Sequence, residues 1–468
     1  GADLNALAGE FVTLPGYYFP SSGAELELSR LKFYFERAAK TRTPEVADVW
    51  NGRSEELTTL CGLAFGDLCV GSNPTPNQCF ELVNGKVRLL DTTFEVLMSK
   101  IDGTRSPGSP YSNAGYPTNA DIPIGMLRAA VEERLTLLYI AADKDLRDLT
   151  YQECISFGLA DPLKVHIKGE LTKIDKLGRC IFGHAIVDRF VWQVIFNDVL
   201  QQLPAKWLSP FNVSSVGIDF NKSAEFMELI RNFKCNLKDG EFLASDDVQG
   251  WEYMFNQTCY RAFFAAYRKV AGVDPSTIIS RILKSAESII EKPAVVALSD
   301  GKLIQLPTEI MLSGWLLTHL ANTIVRAATA ELVADKEMRV PYGTFILPQK
   351  ANGDDDVGRA TVHSVPNYQR LGLVVTPETC SDSAVGFCSQ LFTPEGSYPE
   401  TVHKMFANFT FNASNTAQVS QIRSLLVNHP KYMSLVALID VLHDCAVDDE
   451  LIEVMAYLEA DGPGFVAA

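Results

Sequence analysis

Residues 241–256 read Glu-Phe-Leu-Ala-Ser-Asp-Asp-Val-Gln-Gly-Trp-Glu-Tyr-Met-Phe-Asn, and residues 352–356 read Asn-Gly-Asp-Asp-Asp. The first stretch has strand character up to Asp246-Asp247, and a helical pattern from Phe255 to Val270 follows it. In the second, Gly353 permits a tight turn at the acidic run. Carboxylates brought together from separate strands repel each other unless a cation is present. Hard oxygen ligands suit Mg²⁺, which takes one or two carboxylates plus substrate phosphates. Two such ions about 3.5–4 Å apart can stabilise the attacking and leaving oxygens of a phosphoryl transfer. Asp247, Asp354 and Asp355 are therefore the candidate catalytic and metal-holding residues. Read alone, Gly353-Asp-Asp is no more than a solvated acidic turn.

Between the two acidic clusters lies Ser313-Gly314, then Thr318 and Asn322, with the glycine at the loop-to-helix junction of a helix expected near Ser313 to Leu332. The spacing puts Thr318 and Asn322 on one helical face, and the glycine lets a backbone approach closely. A capped helix with two exposed polar residues reads the same way. Upstream, Lys164, Lys168, Lys173, Lys176 and Arg179 place five cations in a short stretch interrupted by Glu170 and Asp175. Such cations can hold a triphosphate by charge and hydrogen bonds, although a solvated charged face has the same composition. A Gly/Pro/Ser/Asn-rich loop from Asp102 to Pro123 contains Ser106-Pro-Gly-Ser-Pro110. Loops of that length inside compact proteins are often functional. Downstream, Tyr368-Gln-Arg-Leu-Gly372 and Phe387-Cys-Ser-Gln-Leu-Phe392 read as a helix-turn and a hairpin strand.

The whole chain of 468 residues is 47% hydrophobic and 21% charged, as folded proteins are. Its apolar runs, such as Leu135 to Ala142 and Leu435 to Leu442, fall far short of the about 18 residues of a membrane span. No secretory leader is expected, because no basic start precedes an apolar stretch. The net charge of −16 requires any nucleic-acid groove to be locally basic. Ten scattered cysteines without a C-x-x-C pair, and seven histidines without H-E-x-x-H, argue for reduced thiols and against a zinc site. Helical patterns at Ala24 to Ala39, Thr92 to Lys100, Met126 to Asp145 and His184 to Leu203, and again at Ala417 to Val427 and Tyr432 to His443, make the fold class α+β, with helices around a small antiparallel sheet.

Taken in order, these elements resemble the motif set of viral RNA-dependent RNA polymerases. Ser106–Pro110 resembles motif G, and Lys164 to Arg179 resembles motif F through Lys168-Gly-Glu170 and Arg179. Asp247-Val-Gln-Gly-Trp-Glu252 resembles motif A, Ser313 to Asn322 motif B and Gly353-Asp-Asp355 motif C. Tyr368 to Gly372 resembles motif D, and Phe387 to Phe392 motif E. The D-x-x-G-W and F-C-S-x-x-F forms, with Lys404 shortly after, are most similar to the sobemovirus, polerovirus and barnavirus group of positive-strand RNA viruses.

The resemblance implies a right-hand fold. Fingers with an N-terminal extension would span 1–243, with further fingers at 258–305. The palm would span 244–257 and 306–394, and the thumb 395–468. It implies two Mg²⁺ ions, with Mn²⁺ as a possible substitute, held by Asp247 and Asp354 with Asp355 assisting. It assigns substrate binding to Lys164, Lys168, Lys173, Lys176, Arg179, Glu252, Ser313, Gly314, Thr318 and Asn322. Template contact falls to Ser106, Gly108 and Pro110. The implied partners are an RNA template and product, NTPs and other viral replication proteins or a protein primer, and the implied place is a replication complex in the host cytoplasm. Three departures stand out: Glu252 where motif A usually carries Asp, no lysine in Thr376-Pro-Glu-Thr-Cys380 to act as a general acid, and a polar Pro348-Gln-Lys-Ala-Asn352 where an apolar strand is usual before motif C. A reverse transcriptase shares paired palm aspartates, and a catalytically impaired polymerase-like RNA-binding protein would show similar departures.

Overall fold

A computed structural model of the chain describes residues 17–18, 20–69, 79–170, 172–174, 176, 178–341 and 343–400. The two helices expected at Ala417 to Val427 and Tyr432 to His443, most of the 395–468 segment, and Lys404 lie outside the described residues.

In chain order the elements that frame the acidic clusters begin with helices α1 (Ala24–Thr41), α2 (Ser54–Phe65) and α3 (Ile124–Ala141). Strands β1 (Leu163–Ile167) and β2 (Cys180–Gly183) follow, then helices α4 (Ile186–Gln202) and α5 (Ser223–Cys235). Strand β3 (Glu241–Val248) leads through one helical turn, Trp251–Met254, to α6 (Gln257–Val270) and α7 (Ile278–Ile290). Next come β4 (Val295–Ala297), β5 (Leu303–Gln305) and the long helix α8 (Thr318–Ala334). The last part holds β6 (Gln349–Asn352), β7 (Asp355–Thr361), α9 (Ser364–Arg370), β8 (Val375–Thr379), β9 (Val385–Phe387), β10 (Gln390–Thr393) and β11 (Gly396–Pro399). The mixed α+β class is as the sequence predicts, and no helix among the described residues is long and apolar enough to cross a membrane.

The central sheet runs β6-β7-β3-β8 and is antiparallel throughout. β3, the strand of the first acidic cluster, is therefore clamped between β7 and β8. A second sheet runs β2-β1-β4-β5, and its β1–β4 pairing is parallel, joining Leu163 to Val296. That pairing was not expected from the sequence. It closes a loop of more than a hundred residues, which no local pattern announces.

Helix α8 is the core element beneath the central sheet. Every residue from Thr323 to Ala334 is buried, including Arg326 and Glu331. Its small residues, Ala321, Ala327 and Ala328, allow β7 and α2 to pack closely on either side. The helix begins at Thr318 rather than at Ser313. The reason is that Ser313 and Gly314 are held against β2: Phe182 N donates to Ser313 O at 2.5 Å, and Gly314, at φ +114°, lies where a Cβ would come within 2.6 Å of the Phe182 carbonyl. A second apolar cluster, with Phe226, Leu243, Val357, Phe387 and Phe392, seats α5 and β9–β10 against the same sheet.

The polar strand β6 keeps its register despite its composition. Gln349 and Lys350 are fully buried, and the Gln349 amide nitrogen and the Lys350 ammonium both find acceptors. Lys350 Nζ donates to the carbonyls of Ser209 (2.6 Å), Asn212 (2.8 Å) and Ser214 (3.5 Å), while burial pulls its pKa down to about 7. Three carbonyl acceptors match the three protons of an ammonium group.

His184, just ahead of α4, is 5% exposed, and burial, with Arg189 nearby, pushes its pKa down to about 3. The folded value lies below the ordinary one, so the unfolded chain takes up a proton that the folded chain refuses as pH falls below 6.5. Stability that is complete above pH 6.5 should therefore decline toward pH 3. At pH 5 the decline from this one group is about 2 kcal/mol. Urea unfolding of wild type and His184→Leu at pH 7 and pH 5 checks this: the wild type should lose that amount relative to the variant, and a constant difference would refute it.

Candidate active site

The β6–β7 register pairs Asn352 with Asp355, leaving Gly353 and Asp354 as a two-residue turn. Gly353 takes φ +72°, the glycine-first pattern of a type II′ hairpin. β-strand alternation then sorts the acids. Asp246 and Asp356 are direct cross-strand partners, both buried toward α8, at 7% and 2% exposed. Asp247 and Asp355 consequently lie on the opposite face, Asp247 exposed and Asp355 half-buried. The structure thus brings Asp247, Asp354 and Asp355 together. Burial, Asp354 and Asp247 together raise the Asp355 carboxyl to about 6. Among the described residues no cluster of three or more metal-ligating side chains forms a ready cage.

Beneath the turn sits Arg326, which is fully buried. Its Nε donates to the Asp354 carbonyl (3.2 Å), Nη1 to the Tyr368 hydroxyl (2.7 Å) and Nη2 to the Asp246 carbonyl (3.4 Å). It also lies 3.9 Å from the Asp246 carboxylate and 4.0 Å from that of Asp356. One guanidinium thus faces two buried carboxyls; burial and the neighbouring Asp246 carboxylate raise Asp356 to about 8, and burial raises Asp246 above its ordinary value, with Arg326 opposing both shifts. Thr323 Oγ1 accepts the Gly353 N–H at 2.9 Å, a further tie from α8 to the turn. On the solvent side, His319 Nε2 meets Asn352 Oδ1 at 2.5 Å, and Asn352 Nδ2 donates to Cys388 Sγ at 3.1 Å. Cys388 and Ser389 form the tip of the β9–β10 hairpin, both at positive φ. Arg326, Thr323, His319 and Asn352 all escaped the sequence reading. The usable signal was an arginine inside the mostly apolar stretch Leu320 to Val333.

The remaining sequence candidates fall into two groups. Trp251 Nε1 donates to Asn322 Oδ1 at 3.0 Å, which ties the residue before Glu252 to α8, and the Glu252 carbonyl accepts the Met311 N–H at 2.7 Å. Arg179 feels the negative charge of both Glu252 and Asp354, and its bidentate contact with Glu170 (2.6 and 3.0 Å) raises its pKa. Thr318 does not present its hydroxyl outward as expected: Oγ1 donates to the Leu312 carbonyl at 2.7 Å and anchors the loop. Ser313 and Gly314 serve the same loop against β2.

Lys168 is engaged by Glu170 at 2.8 Å, while Lys173 is exposed at the end of the short Thr172–Lys173 strand and Lys176 is exposed just after it. Lys164 sits in β1 opposite Gly183. Among the described residues no hydrogen bond or ion pair ties Lys164, Lys173 or Lys176 to the aspartates. In the Ser106–Pro110 loop, Pro107 to Ser109 are buried and Ser106 and Pro110 exposed. Gly108, at φ +79°, nestles where a Cβ would be 2.9 Å from Ala185 Cα, and Ile186 N donates to the Pro107 carbonyl at 2.8 Å. The Tyr368–Gly372 segment is the end of α9, and β8 after it pairs Thr376 with Asp247.

No protein-family model matches the chain. It is similar to the replicase polyprotein P2AB of Southern cowpea mosaic virus, with 27% identity over 68% of this chain and 34% of that protein. It is also similar to protein P2-P3 of Poinsettia latent virus, with 24% identity over 96% of this chain and 39% of that protein. A third relative is protein P1-P2 of Turnip yellows virus, with 22% identity over 83% of this chain and 37% of that protein. The chain thus spans well under half the length of the curated relatives it matches. In agreement with the motif order, the homologues of this chain are proteins of sobemovirus-, polerovirus- and enamovirus-like viruses, a replicase polyprotein among them.

Proposed function

We propose that this chain is the RNA-dependent RNA polymerase of a viral replicase, adding ribonucleotides to an RNA 3′ end on an RNA template. The observation that carries the reading is the meeting of Asp247, Asp354 and Asp355 at one end of the central sheet, where burial and the two neighbouring carboxylates raise Asp355. Asp247 and Asp354, assisted by Asp355, would hold two Mg²⁺ ions, with Mn²⁺ as a possible substitute. Bound there, the metal supplies charge stabilisation for the attack of a 3′-hydroxyl on the α-phosphorus and for the pyrophosphate that leaves. Catalysis of this kind is mostly positioning and electrostatics. Arg326 and Thr323 fix the turn, and Arg179 offers a cation beside Glu252 and Asp354 for the triphosphate.

On this reading the fingers are 1–243 and 258–305, the palm 244–257 and 306–394, and the thumb 395–468. The β1–β4 pairing supports grouping 1–243 with 258–305, because it joins their strands in one sheet. The working place is a replication complex in the host cytoplasm, with RNA, NTPs and other viral replication proteins as partners. The test is synthesis on a homopolymer RNA template, with and without primer, from labelled NTP and Mg²⁺. Template-directed RNA product is expected, and its absence from intact protein would refute the reading.

Sugar choice on this reading falls to Asn322 and Glu252. Asn322 gives its Oδ1 to Trp251, so its amide nitrogen is left to donate, while ionised Glu252 can only accept. A ribose 2′-hydroxyl can accept from the first and donate to the second, whereas a deoxyribose leaves both unpaired, at about 1–3 kcal/mol each. Asn322→Ala should reduce the preference for rNTP over dNTP by roughly 5- to 150-fold in the kcat/KM ratio, mainly through slower rNTP use. An unchanged ratio would favour a reverse transcriptase.

A further inference from the structure

Tyr34 lies in α1, more than sixty residues ahead of the first polymerase-like motif, and is 1% exposed. Its hydroxyl donates to Glu252 Oε1 at 3.3 Å and accepts the Cys180 N–H at 3.4 Å. The direction is fixed, because a carboxylate can only accept and a peptide N–H can only donate. One hydroxyl therefore bridges the glutamate that departs from its family's usual aspartate and the backbone next to Arg179. The same helix is locked to this segment elsewhere. Thr41 Oγ1 reaches Met254 Sδ at 3.0 Å, and the Tyr34 and Tyr253 rings lie 5.8 Å apart. Just past the helix, Arg42 Nη2 donates to the Phe255 carbonyl at 2.9 Å. The Arg30 guanidinium covers the Tyr34 ring at 4.4 Å.

We propose that Tyr34 is a positioning residue for sugar selection: it holds Glu252 Oε1, so that the other carboxylate oxygen is presented to the ribose 2′-hydroxyl. The inference rests on the polymerase reading and deepens it. It also explains the departure at position 252. An aspartate is shorter by one methylene, about 1.5 Å, which breaks a contact already at 3.3 Å. The longer side chain and the buried tyrosine form one unit.

The experiment measures kcat/KM for one rNTP and its dNTP in wild type, Tyr34→Phe, Glu252→Asp, Glu252→Ala and the double variant Tyr34→Phe/Glu252→Ala. Tyr34→Phe removes only the hydroxyl. It should lower the rNTP-to-dNTP ratio roughly threefold to tenfold, about the worth of one hydrogen bond, with dNTP use nearly constant. In the Glu252→Ala background the same change should leave the ratio unaltered. Glu252→Asp should mimic Tyr34→Phe, which keeps the test decisive if the phenylalanine variant does not fold. An unchanged ratio in Tyr34→Phe or in Glu252→Asp overturns the proposal. So does equal slowing of both nucleotides, the mark of a purely structural tyrosine, or an undiminished effect of Tyr34→Phe without the carboxylate. Absence of any product from wild type would instead refute the polymerase reading itself.

Discussion

Asp354→Ala should abolish nucleotide addition and leave the chain folded. Asp354 occupies the second position of a two-residue turn, and the tie that anchors it runs from Arg326 to its backbone carbonyl, which alanine retains. What alanine removes is a carboxylate whose nearest electrostatic consequence is unfavourable, since it raises Asp355. The sign of the stability change follows. Asp355 has a folded value of about 6, above its ordinary 3.8, so its ionisation costs stability as pH rises through that window, and the cost is fully present above pH 6. Removing Asp354 lessens the cost. The melting temperature should be unchanged near pH 4 and unchanged or slightly higher at pH 7. Activity should fall by at least about a thousandfold, equivalent to about 4 kcal/mol of transition-state stabilisation. Thermal melts at the two pH values, beside a primer-extension assay, check both halves. Wild-type-like synthesis would sink the assignment of the aspartates.

Arg326→Met should be the most destabilising single change at the site. Methionine fills similar space but leaves two buried carboxyls, the Tyr368 hydroxyl and the carbonyls of Asp246 and Asp354 without their shared donor. Breaking a buried ion pair from one side costs about 3–5 kcal/mol, because the remaining charge is uncompensated. Urea unfolding should show a loss of that size at pH 8. The loss should shrink at pH 5, far below the value of about 8 for Asp356, where that carboxyl is neutral and the orphaned charge is smaller. Adding Asp246→Asn and Asp356→Asn to the methionine variant should restore much of the stability at pH 8. If the single variant is as stable as wild type, the hub is not what holds the two strands.

The site was legible in the sequence where its chemistry is local. Asp247, Asp354 and Asp355 announce themselves through a strand end and a glycine turn, and Gly314 through its place before a helix. What was hidden depends on partners distant in the chain. Arg326 meets Asp246 eighty residues upstream and Tyr368 forty-two residues downstream. Lys350 looks like a surface residue until loop 209–214 supplies three carbonyls. The polar composition of β6 therefore misleads, because satisfaction, not hydrophobicity, decides whether a polar strand can be buried. Thr318 misled in the opposite sense: helical spacing gives its face but not the Leu312 carbonyl that claims its hydroxyl.

The amide of Asn352 is used at both ends, its oxygen by His319 and its nitrogen by Cys388. In the terms of sequence divergence, these three positions are not free to drift separately. An apolar replacement at 352 releases an imidazole on one side and a thiol on the other, each beside the acidic turn. A lineage that changes residue 352 meets its lowest-energy path only if 319 and 388 change with it, so the three sites should vary together in related chains although they belong to three different segments of the fold.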